Sequence, residues 1–574
     1  MDKKQLEAMP AWAQKLAHAY FSRTVCTFLL HGVAVRDLHP LGEEGSYGPL
    51  SSFLAKELFA GRNHVLSYNR SSGIRALDGN SMADVSNAMV GYDALHGTQF
   101  AHALPKEPAK ALQLLETFLR LRISERKSIA LVIDFAETLV PASEGASLSA
   151  EDRFLLVTLL RWASDVQFLA ADVSIVLVSE SLADISPRLA RNPYVATVEL
   201  ALPDEVGRCR FLRHKLAGRE MVSLSEVGLE AFVKLSSGLS YLHLERLFSF
   251  AENSKKISLT ALKEAKKEAI AAQCHGLLEF IEPSFGLEAV AGHEAAKAML
   301  LGTAKALKKG ATGALPMGYL VAGPVGTGKT YMVTCFAGEV GIPCLKFLNF
   351  RSQWQGATEG NLERIFNILK ALWPVVVIVD EADAFLGNRD VAGDSGTSNR
   401  IFASLVSFMG DTQYRGKILW FLLTCRPDKL PIDLKRQGRA EEHLALFHPE
   451  TAQEKNVLYA AMCKKLKLKI EAEVEDFSAY CEGKTFSGAD IEALLVRAQF
   501  LAATQGRSKV GKAELLEVLE DFIPPSYPLE MELQNLVAVQ ECTRRSLLPK
   551  VYAQADRSQL AARIQRLKFL VGEP

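Results

Sequence analysis

Residues 323–330 read GPVGTGKT and satisfy the pattern GxxxxGK[ST] at every defined position. Glycines in this pattern let successive backbone N–H groups curve around a phosphate, and the start of the following helix adds positive potential. A glycine-rich turn that fits by chance is the alternative, but a strand-like run precedes the motif and a helical stretch follows it. The motif therefore predicts a nucleotide site made by Gly323, Pro324, Val325, Gly326, Thr327, Gly328, Lys329 and Thr330.

Within this motif two side chains carry specific chemistry. Lys329 has the length to reach the β- and γ-phosphates, and the Thr330 hydroxyl can ligate Mg²⁺. Further along the chain, Asp380 and Glu381 directly follow the apolar run VVVIV. We expect Asp380 to hold Mg²⁺ through water and Glu381 to polarise an attacking water. A pair of exposed carboxylates at a strand end is the alternative, which the intact phosphate loop disfavours.

The elements that must position these groups are short apolar runs separated by helical stretches. Runs that are continuously apolar, and do not alternate with polar residues, indicate strands buried on both faces of a parallel sheet. Ligands bind at the carboxyl ends of such strands. The pattern predicts an α/β fold with a five-stranded parallel sheet of the P-loop NTPase type and a helical lid after residue 450. The predicted strands are Gly318–Ala322, Pro343–Phe347, Val375–Val379, Ile418–Leu423 and His443–Phe447.

Several segments around these groups resemble the AAA (AAA+) ATPases, in the AAA clade proper, over about residues 283–525. They resemble that family's pore segment with its signature helix, its second region of homology, its lid motif and the end of its module. The family resemblance implies an ATPase that binds ATP and Mg²⁺ and works as a homo-oligomeric, hexameric ring. The segments are WQGATEGNLERIFNILKA, GDSGTSNRIFASLVSFM with LLTCRPDKLPIDLKRQGRAEEHLAL, TFSGADIEALLVRA and EDFIPPSYP.

The resemblance also implies roles for individual residues. Trp354, with Gln355 and Gly356, stands where the family places an aromatic pore loop that grips a threaded polypeptide; a packing tryptophan is the alternative. Arg439 stands where a finger reaches the γ-phosphate of the neighbouring subunit; a salt-bridging arginine is the alternative.

Three small residues, Gly292, Gly488 and Ala489, stand where the family packs against adenine, although core packing alone could select them.

Two positions depart from the family pattern. Cys425 replaces the asparagine usual at the sensor position, and a thiol is a weaker hydrogen-bond donor than an amide. Glu442 replaces the second arginine usual after the first finger. Both departures predict that ATP is bound well but that its turnover is slow or needs a partner.

The first half of the chain repeats the layout faintly. Predicted strands at 27–30, 63–67, 129–133 and 173–178 precede a helical stretch over 205–273. The segment His31–Leu38 lacks the GK[ST] ending, and Phe135 follows Asp134 where the intact module has glutamate. We therefore expect a degenerate AAA-like module without catalysis, as in the tandem AAA proteins of cyanobacteria and plastids, with an unrelated α/β scaffold as the alternative.

Composition limits the other classes. Lys+Arg and Asp+Glu are each 66, so the zero net charge disfavours nucleic acid as the main ligand. No apolar run approaches the ~20 residues of a membrane span, and no secretory signal is expected. Nine cysteines without a CxxC pair favour a reducing, cytoplasmic setting. The predicted domains are 1–215, a degenerate module; 216–275, its lid; 276–450, the ATPase large domain; 451–530, its lid; and 531–574, a helical tail.

The function predicted is ATP-dependent remodelling of a protein partner, with hydrolysis at a subunit interface. A nucleotide-gated switch or adaptor that turns over slowly is the alternative. A DNA-associated loader is a weaker third, because the chain has no basic tract.

Overall fold

The computed structural model describes residues 6, 9–42, 46–79, 81–142, 148–253, 256–273, 278–348, 359–386, 396–471, 476–480, 486–523 and 527–572. The chain forms two compact units. The first comprises residues 1–275 together with 356–371, and the second comprises 276–355 together with 372–574.

The first unit contains a six-stranded sheet in the order β5-β4-β6-β7-β1-β8. Five strands run parallel, and β5 pairs antiparallel with β4 at the edge. Residues of β1 and β7 are buried along their whole length, as continuous apolar runs predict. A hairpin of β2 and β3 stands apart from this sheet. The strands are β1 Thr27–His31, β2 Leu38–Leu41, β3 Ser46–Pro49, β4 His64–Asn69, β5 Gly73–Ala76, β6 Ile129–Asp134, β7 Val173–Val178 and β8 Val195–Glu199.

Helices cover the sheet of the first unit, and a run of helices alone follows β8. Two buried apolar clusters, one on each side of the sheet, hold the layers together. The α-helices are Ala11–Phe21, Leu50–Phe53, Ser81–His96, Pro108–Ser124, Ala150–Ala163, Val166–Ala170, Pro187–Ala190, Glu205–Leu216, Met221–Leu224, Leu229–Leu235, Tyr241–Asn253 and Leu259–Gln273.

The second unit has a sheet of the same design, in the order β14-β10-β13-β12-β11-β9. Its five parallel strands confirm the predicted parallel sheet. The sixth strand, β9, pairs antiparallel with β11 and was not predicted, because four residues of mixed polarity carry little strand signal. The strands are β9 Leu278–Ile281, β10 Gly318–Ala322, β11 Cys344–Phe347, β12 Val375–Val379, β13 Ile418–Thr424 and β14 Glu442–Ala445.

Helices again surround this sheet, and a small helical bundle follows β14. Stacking of Tyr319 on Phe421, with ring centroids 4.7 Å apart, contributes to the core beneath β10 and β13. No helix among the described residues is both long and apolar enough to cross a membrane. The α-helices are Glu294–Lys308, Lys329–Val340, Glu359–Leu372 (residues 359–371 group with the first unit), Ala382–Leu386, Gly396–Met409, Ile432–Lys435, Ala452–Lys465, Gly488–Thr504, Lys512–Asp521, Pro528–Glu541 and Arg557–Leu570.

A carboxylate in the first unit, Glu116, ties two of its helices together. It accepts hydrogen bonds from Arg161 at 2.6 Å, from Arg120 at 2.8 Å and from the Trp162 indole at 3.1 Å. Burial by itself raises the pKa of Glu116, but the hydrogen bonds from Arg161, Trp162 and Arg120 outweigh burial and lower the pKa to about 2. The ionised form is therefore the one that stabilises the fold.

We expect Glu116→Gln to destabilise the chain by about 1–3 kcal/mol at pH 7, because charged hydrogen bonds are lost. Because the pKa of Glu116 is depressed, its contribution to the free energy of unfolding is complete at pH values above the ordinary pKa of 4.5 and disappears as the pH falls toward about 2. In urea unfolding, the difference in free energy of unfolding between wild type and variant should therefore shrink as the pH falls from about 4.5 to about 2. Glu107→Gln, which affects only an exposed pair with Lys110, is the control. A gap that does not change with pH would contradict the role of the charge.

Candidate functional site

The phosphate loop connects β10 to the helix Lys329–Val340 at the carboxyl edge of the sheet. Gly323 has φ of 152°, and a Cβ there would lie 2.1 Å from the carbonyl oxygen of Leu446. Gly326 has φ of 83°, and a Cβ there would lie 2.7 Å from Ser487 of the lid. The loop can therefore take this path only with glycine at these two positions.

The ammonium of Lys329 lies inside the loop. It donates to the carbonyl oxygens of Gly323 at 2.8 Å and Pro324 at 2.9 Å, and it is 3.3 Å from Sγ of Cys425. Lys329 and Cys425, which are distant in sequence, are thus brought together because β10 and β13 are adjacent parallel strands. A phosphate that entered the loop would offer Lys329 a charged acceptor in place of these neutral ones.

Asp380 follows β12 and faces the start of the helix that carries Thr330. The Thr330 hydroxyl donates to Oδ2 of Asp380 at 3.2 Å. A hydroxyl and a carboxylate this close supply the hard oxygen ligands that Mg²⁺ prefers, so these residues fit the predicted ion. Lys346 on β11 also contacts Oδ2 of Asp380, at 2.7 Å.

Lys346 was not predicted as a site residue. The only signal in the sequence is a charged residue inside the otherwise apolar strand PCLKF, and that signal does not identify its partner. Its contact with Asp380 arises because β11 and β12 pair in parallel, with Lys346 opposite Ile378. An ammonium here balances the charge of the carboxylate, as a bound cation would.

Glu381 adopts a left-handed backbone conformation, with φ of 47°. The turn is closed locally: its own N–H donates to Oδ1 of Asp380 at 3.1 Å, and its carbonyl accepts from the N–H of Ala384. Glu381 is exposed and lines a cavity of about 260 Å³ together with Lys346 and Asp380. A carboxylate in this position can accept a proton from a water held beside the phosphate loop.

A larger cavity of about 610 Å³ lies on the other side of the loop. This volume is typical of small-molecule sites. Of the three residues predicted to pack against adenine, Gly292 and Gly488 line this cavity, whereas Ala489 is exposed and lies outside the lining. Contact with the base stays a prediction. Other lining residues are Gly326–Gly328, Tyr331, Phe447–Thr451, Leu458 and Ser546–Pro549.

His448 is a lining residue that the sequence analysis missed. Within the described part of the chain, neither of its ring nitrogens has a hydrogen-bond partner, although both are buried. Burial lowers the pKa of His448, and nearby Lys329 lowers it further while Asp490 opposes the change. The imidazole is therefore neutral at pH 7, with one donor and one acceptor without partners beside the phosphate loop.

Arg439 packs onto its own chain. Its Nη1 donates to the carbonyl oxygen of Asp433 at 2.5 Å, and its side chain is 13% exposed. Burial and the nearby Arg436 lower the pKa of Arg439.

Glu442 is ion-paired with Arg544 through Nε at 2.9 Å. The finger role of Arg439 between subunits stays a prediction, and the predicted pore-loop residues Trp354, Gln355 and Gly356 lie outside the described residues.

Three family models match the chain in succession. Residues 3–201 match the N-terminal Rossmann-like domain of AAA+ chaperones, and residues 207–275 match the second helical domain of AAA+ chaperones. Residues 319–447 match the ATPase family associated with various cellular activities (AAA). The AAA match contains the phosphate loop, Asp380, Glu381 and Arg439.

Three relatives show how far the similarity extends along the chain. The chain is 23% identical over 440 residues to an AAA domain-containing protein, ycf46, of Guillardia theta, covering 75% of this chain and 82% of that protein. It is 26% identical over 403 residues to a cell division cycle protein 48 homologue of Archaeoglobus fulgidus, covering 64% and 54%. It is 31% identical over 256 residues to the ATP-dependent zinc metalloprotease FtsH 1 of Sphaerobacter thermophilus, covering 42% and 38%.

The order of these matches agrees with the two sheets of similar topology and with the nucleotide-binding geometry of the second. Residues 319–447 belong to the AAA family of ATPases, and they follow a Rossmann-like module and a helical domain of the AAA+ chaperone type, which is the layout of a tandem AAA protein.

Proposed function

We propose that this protein hydrolyses ATP at an interface between its own subunits and uses the energy to remodel a protein partner. The observation that carries the proposal is the convergence of Lys329, Thr330, Asp380 and Glu381 at one edge of the sheet. These groups can supply a phosphate clamp, a site for a divalent cation and a general base at one edge of the sheet.

Each group has one step in the proposed mechanism. The backbone N–H groups of the loop and Lys329 bind the phosphates, and Lys329 leaves its carbonyl partners to do so. Thr330 and Asp380 would hold Mg²⁺, which would supply positive charge beside the phosphates. Lys346 would give up Oδ2 of Asp380 to make room for it. Glu381 accepts a proton from the attacking water as the water approaches the γ-phosphorus.

The remaining steps concern the assembly. Arg439 would leave its contact with Asp433 and stabilise charge on the γ-phosphate of a neighbouring subunit. Trp354 would then transmit the conformational change to a polypeptide in the pore. Relatives named as a cell division cycle protein and as ATP-dependent metalloproteases support work on protein substrates, and the family resemblance supports a hexameric ring.

A nucleotide-gated switch is the second candidate, and three contacts favour it. Cys425 stands beside Lys329 in place of an amide, Arg439 is packed on its own chain, and Glu442 is neutralised by Arg544. These features support tight binding with slow turnover until a partner supplies or releases an activating group.

We expect Lys329→Ala to abolish ATP binding, since the largest electrostatic contribution to phosphate recognition is lost. Isothermal titration with ATP and Mg²⁺ measures this directly. Lys309→Ala, which removes an exposed lysine outside the site, should bind as wild type does. Retained affinity in Lys329→Ala would place the nucleotide elsewhere.

We expect steady-state hydrolysis per chain to rise with protein concentration if Arg439 acts across an interface.

Glu381→Gln should bind ATP but lose about 10²-fold or more of the turnover, since the general base is removed. Glu339→Gln, on the helix after the loop, is the control. Turnover that survives Glu381→Gln would require another base, and tight binding with almost no wild-type turnover would favour the switch.

A further inference from the structure

The C-terminal segment, residues 528–549, lies beyond the part of the chain that matches the AAA family. It begins with the helix Pro528–Glu541 and continues through a 3₁₀ turn, Arg545–Leu547. Side chains of the helix are buried against the second unit, including Leu533, Val537 and Ala538. The segment is therefore an integral part of this unit's core.

One side chain of this helix reaches the phosphate loop. The N–H of Val325 donates to Oε1 of Gln534 at 3.2 Å, across 209 residues of sequence. Val325 is the third residue of the loop, whose successive N–H groups converge to form a phosphate cradle. Gln534 provides an acceptor for the N–H of Val325, so this part of the loop is held before a phosphate arrives.

A second part of the segment closes the larger cavity. Residues Ser546–Pro549 line this cavity. Their position is fixed because contacts anchor the residues just before them. Lys435 pairs with Oε1 of Glu541 at 2.6 Å, and Nδ1 of His443 lies 2.8 Å from the Glu541 carbonyl. Leu547 is buried in the core that also contains β14 residues.

We infer that the C-terminal segment is a working part of the nucleotide site, in which Gln534 positions the phosphate loop and Ser546–Pro549 form a wall for the base. The inference rests on the proposed ATP binding. It extends the site to residues that the phosphate-loop motif and the AAA match do not include.

The two contacts predict different losses. Gln534→Leu removes the acceptor and should weaken both ATP and inorganic tripolyphosphate by about tenfold, or about 1.4 kcal/mol. Leu548→Trp enlarges a half-buried wall residue and should weaken ATP by a similar factor while leaving tripolyphosphate unchanged. In steady-state assays the KM for ATP should rise in both variants, with kcat within about twofold of wild type.

Gln540→Leu on the same helix and Val551→Trp beyond the wall are matched controls, since both side chains are exposed. Melting temperatures of all four variants report whether folding is intact. If wild type binds ATP, and both site variants bind ATP and tripolyphosphate as tightly as wild type does, the inference is overturned. If wild type itself does not bind ATP, the proposed function fails instead.

A different observation concerns the first unit, where two charged side chains, Arg36 and Asp37, make several contacts in the loop after β1. Arg36 lies in the loop after β1, which corresponds in topology to the phosphate loop after β10. Its Nη1 donates to both carboxylate oxygens of Asp134 at 2.8 and 3.0 Å, and its Nε donates to Glu180 at 3.2 Å. Its guanidinium also lies 3.9 Å over the ring of Phe135.

The next residue, Asp37, binds the start of a helix. Its buried carboxylate accepts from the N–H groups of Tyr241 at 2.9 Å and Leu242 at 2.8 Å. Burial raises the pKa of Asp37, and these N–H donors oppose that rise. An acidic group at this place satisfies donors that a helix N-terminus presents to an anion.

We infer that side chains of the first unit substitute for a nucleotide and its cation. Arg36 takes the place of the cation beside the carboxylate of Asp134. Asp37 takes the place of the anion, because it connects the loop after β1 to the start of the helix Tyr241–Asn253. The loop and the helix Tyr241–Asn253 are then held together without ATP. This unit is a permanently closed module and binds no nucleotide.

Asp37→Ala should increase hydrogen exchange of the amides at 241–253 by tenfold or more in the full chain. Asp204→Ala removes the cap of another helix, Glu205–Leu216, and should leave the amides at 241–253 protected. The Lys329→Ala chain, in which Arg36 is unchanged, should bind no ATP. Exchange unchanged by Asp37→Ala, or ATP bound by the first unit in the Lys329→Ala chain, would overturn the inference.

Discussion

The site depends on the parallel register of three strands, β12, β13 and β10. Ala322 pairs with Thr424, and Val379 pairs with Leu422, so the ends of these strands lie close to one edge. The phosphate loop follows β10, Asp380 and Glu381 follow β12, and Cys425 follows β13. Because parallel strands present their carboxyl ends on the same side, a single sheet edge gathers groups that are up to a hundred residues apart.

Charge balance explains the arrangement at this edge. Lys329 rests on backbone carbonyls of the loop, and Lys346 rests on Asp380. A phosphate can therefore replace the carbonyl acceptors of Lys329, and a cation can replace the Lys346 ammonium at Asp380. A partly buried charge without a partner raises the free energy of the folded state. The contacts of Lys329 and Lys346 avoid this cost and can still be exchanged for contacts with a ligand.

The two modules show that one backbone can carry different chemistry. Phe135 and Glu381 follow equivalent strands, and both have left-handed backbone angles, with φ of 55° and 47°. The turn is thus the same although a phenyl ring stands in place of the carboxylate. Asp134 likewise remains, but it pairs with Arg36, whereas Asp380 contacts Thr330 and Lys346. The two modules therefore differ in the side chains at this edge, while the topology of their five parallel strands is the same.

The sequence by itself determined the parallel α/β fold, the phosphate loop and the Asp380–Glu381 pair. These are local signals, since a phosphate cradle uses consecutive N–H groups and a buried strand is a continuous apolar run. Only the tertiary structure decided that Lys346 contacts Asp380, that His448 has no hydrogen-bond partner within the described part of the chain, and that Gln534 accepts from Val325. Those contacts join residues far apart in the chain, and their geometry follows from strand register and helix packing, which no local pattern encodes.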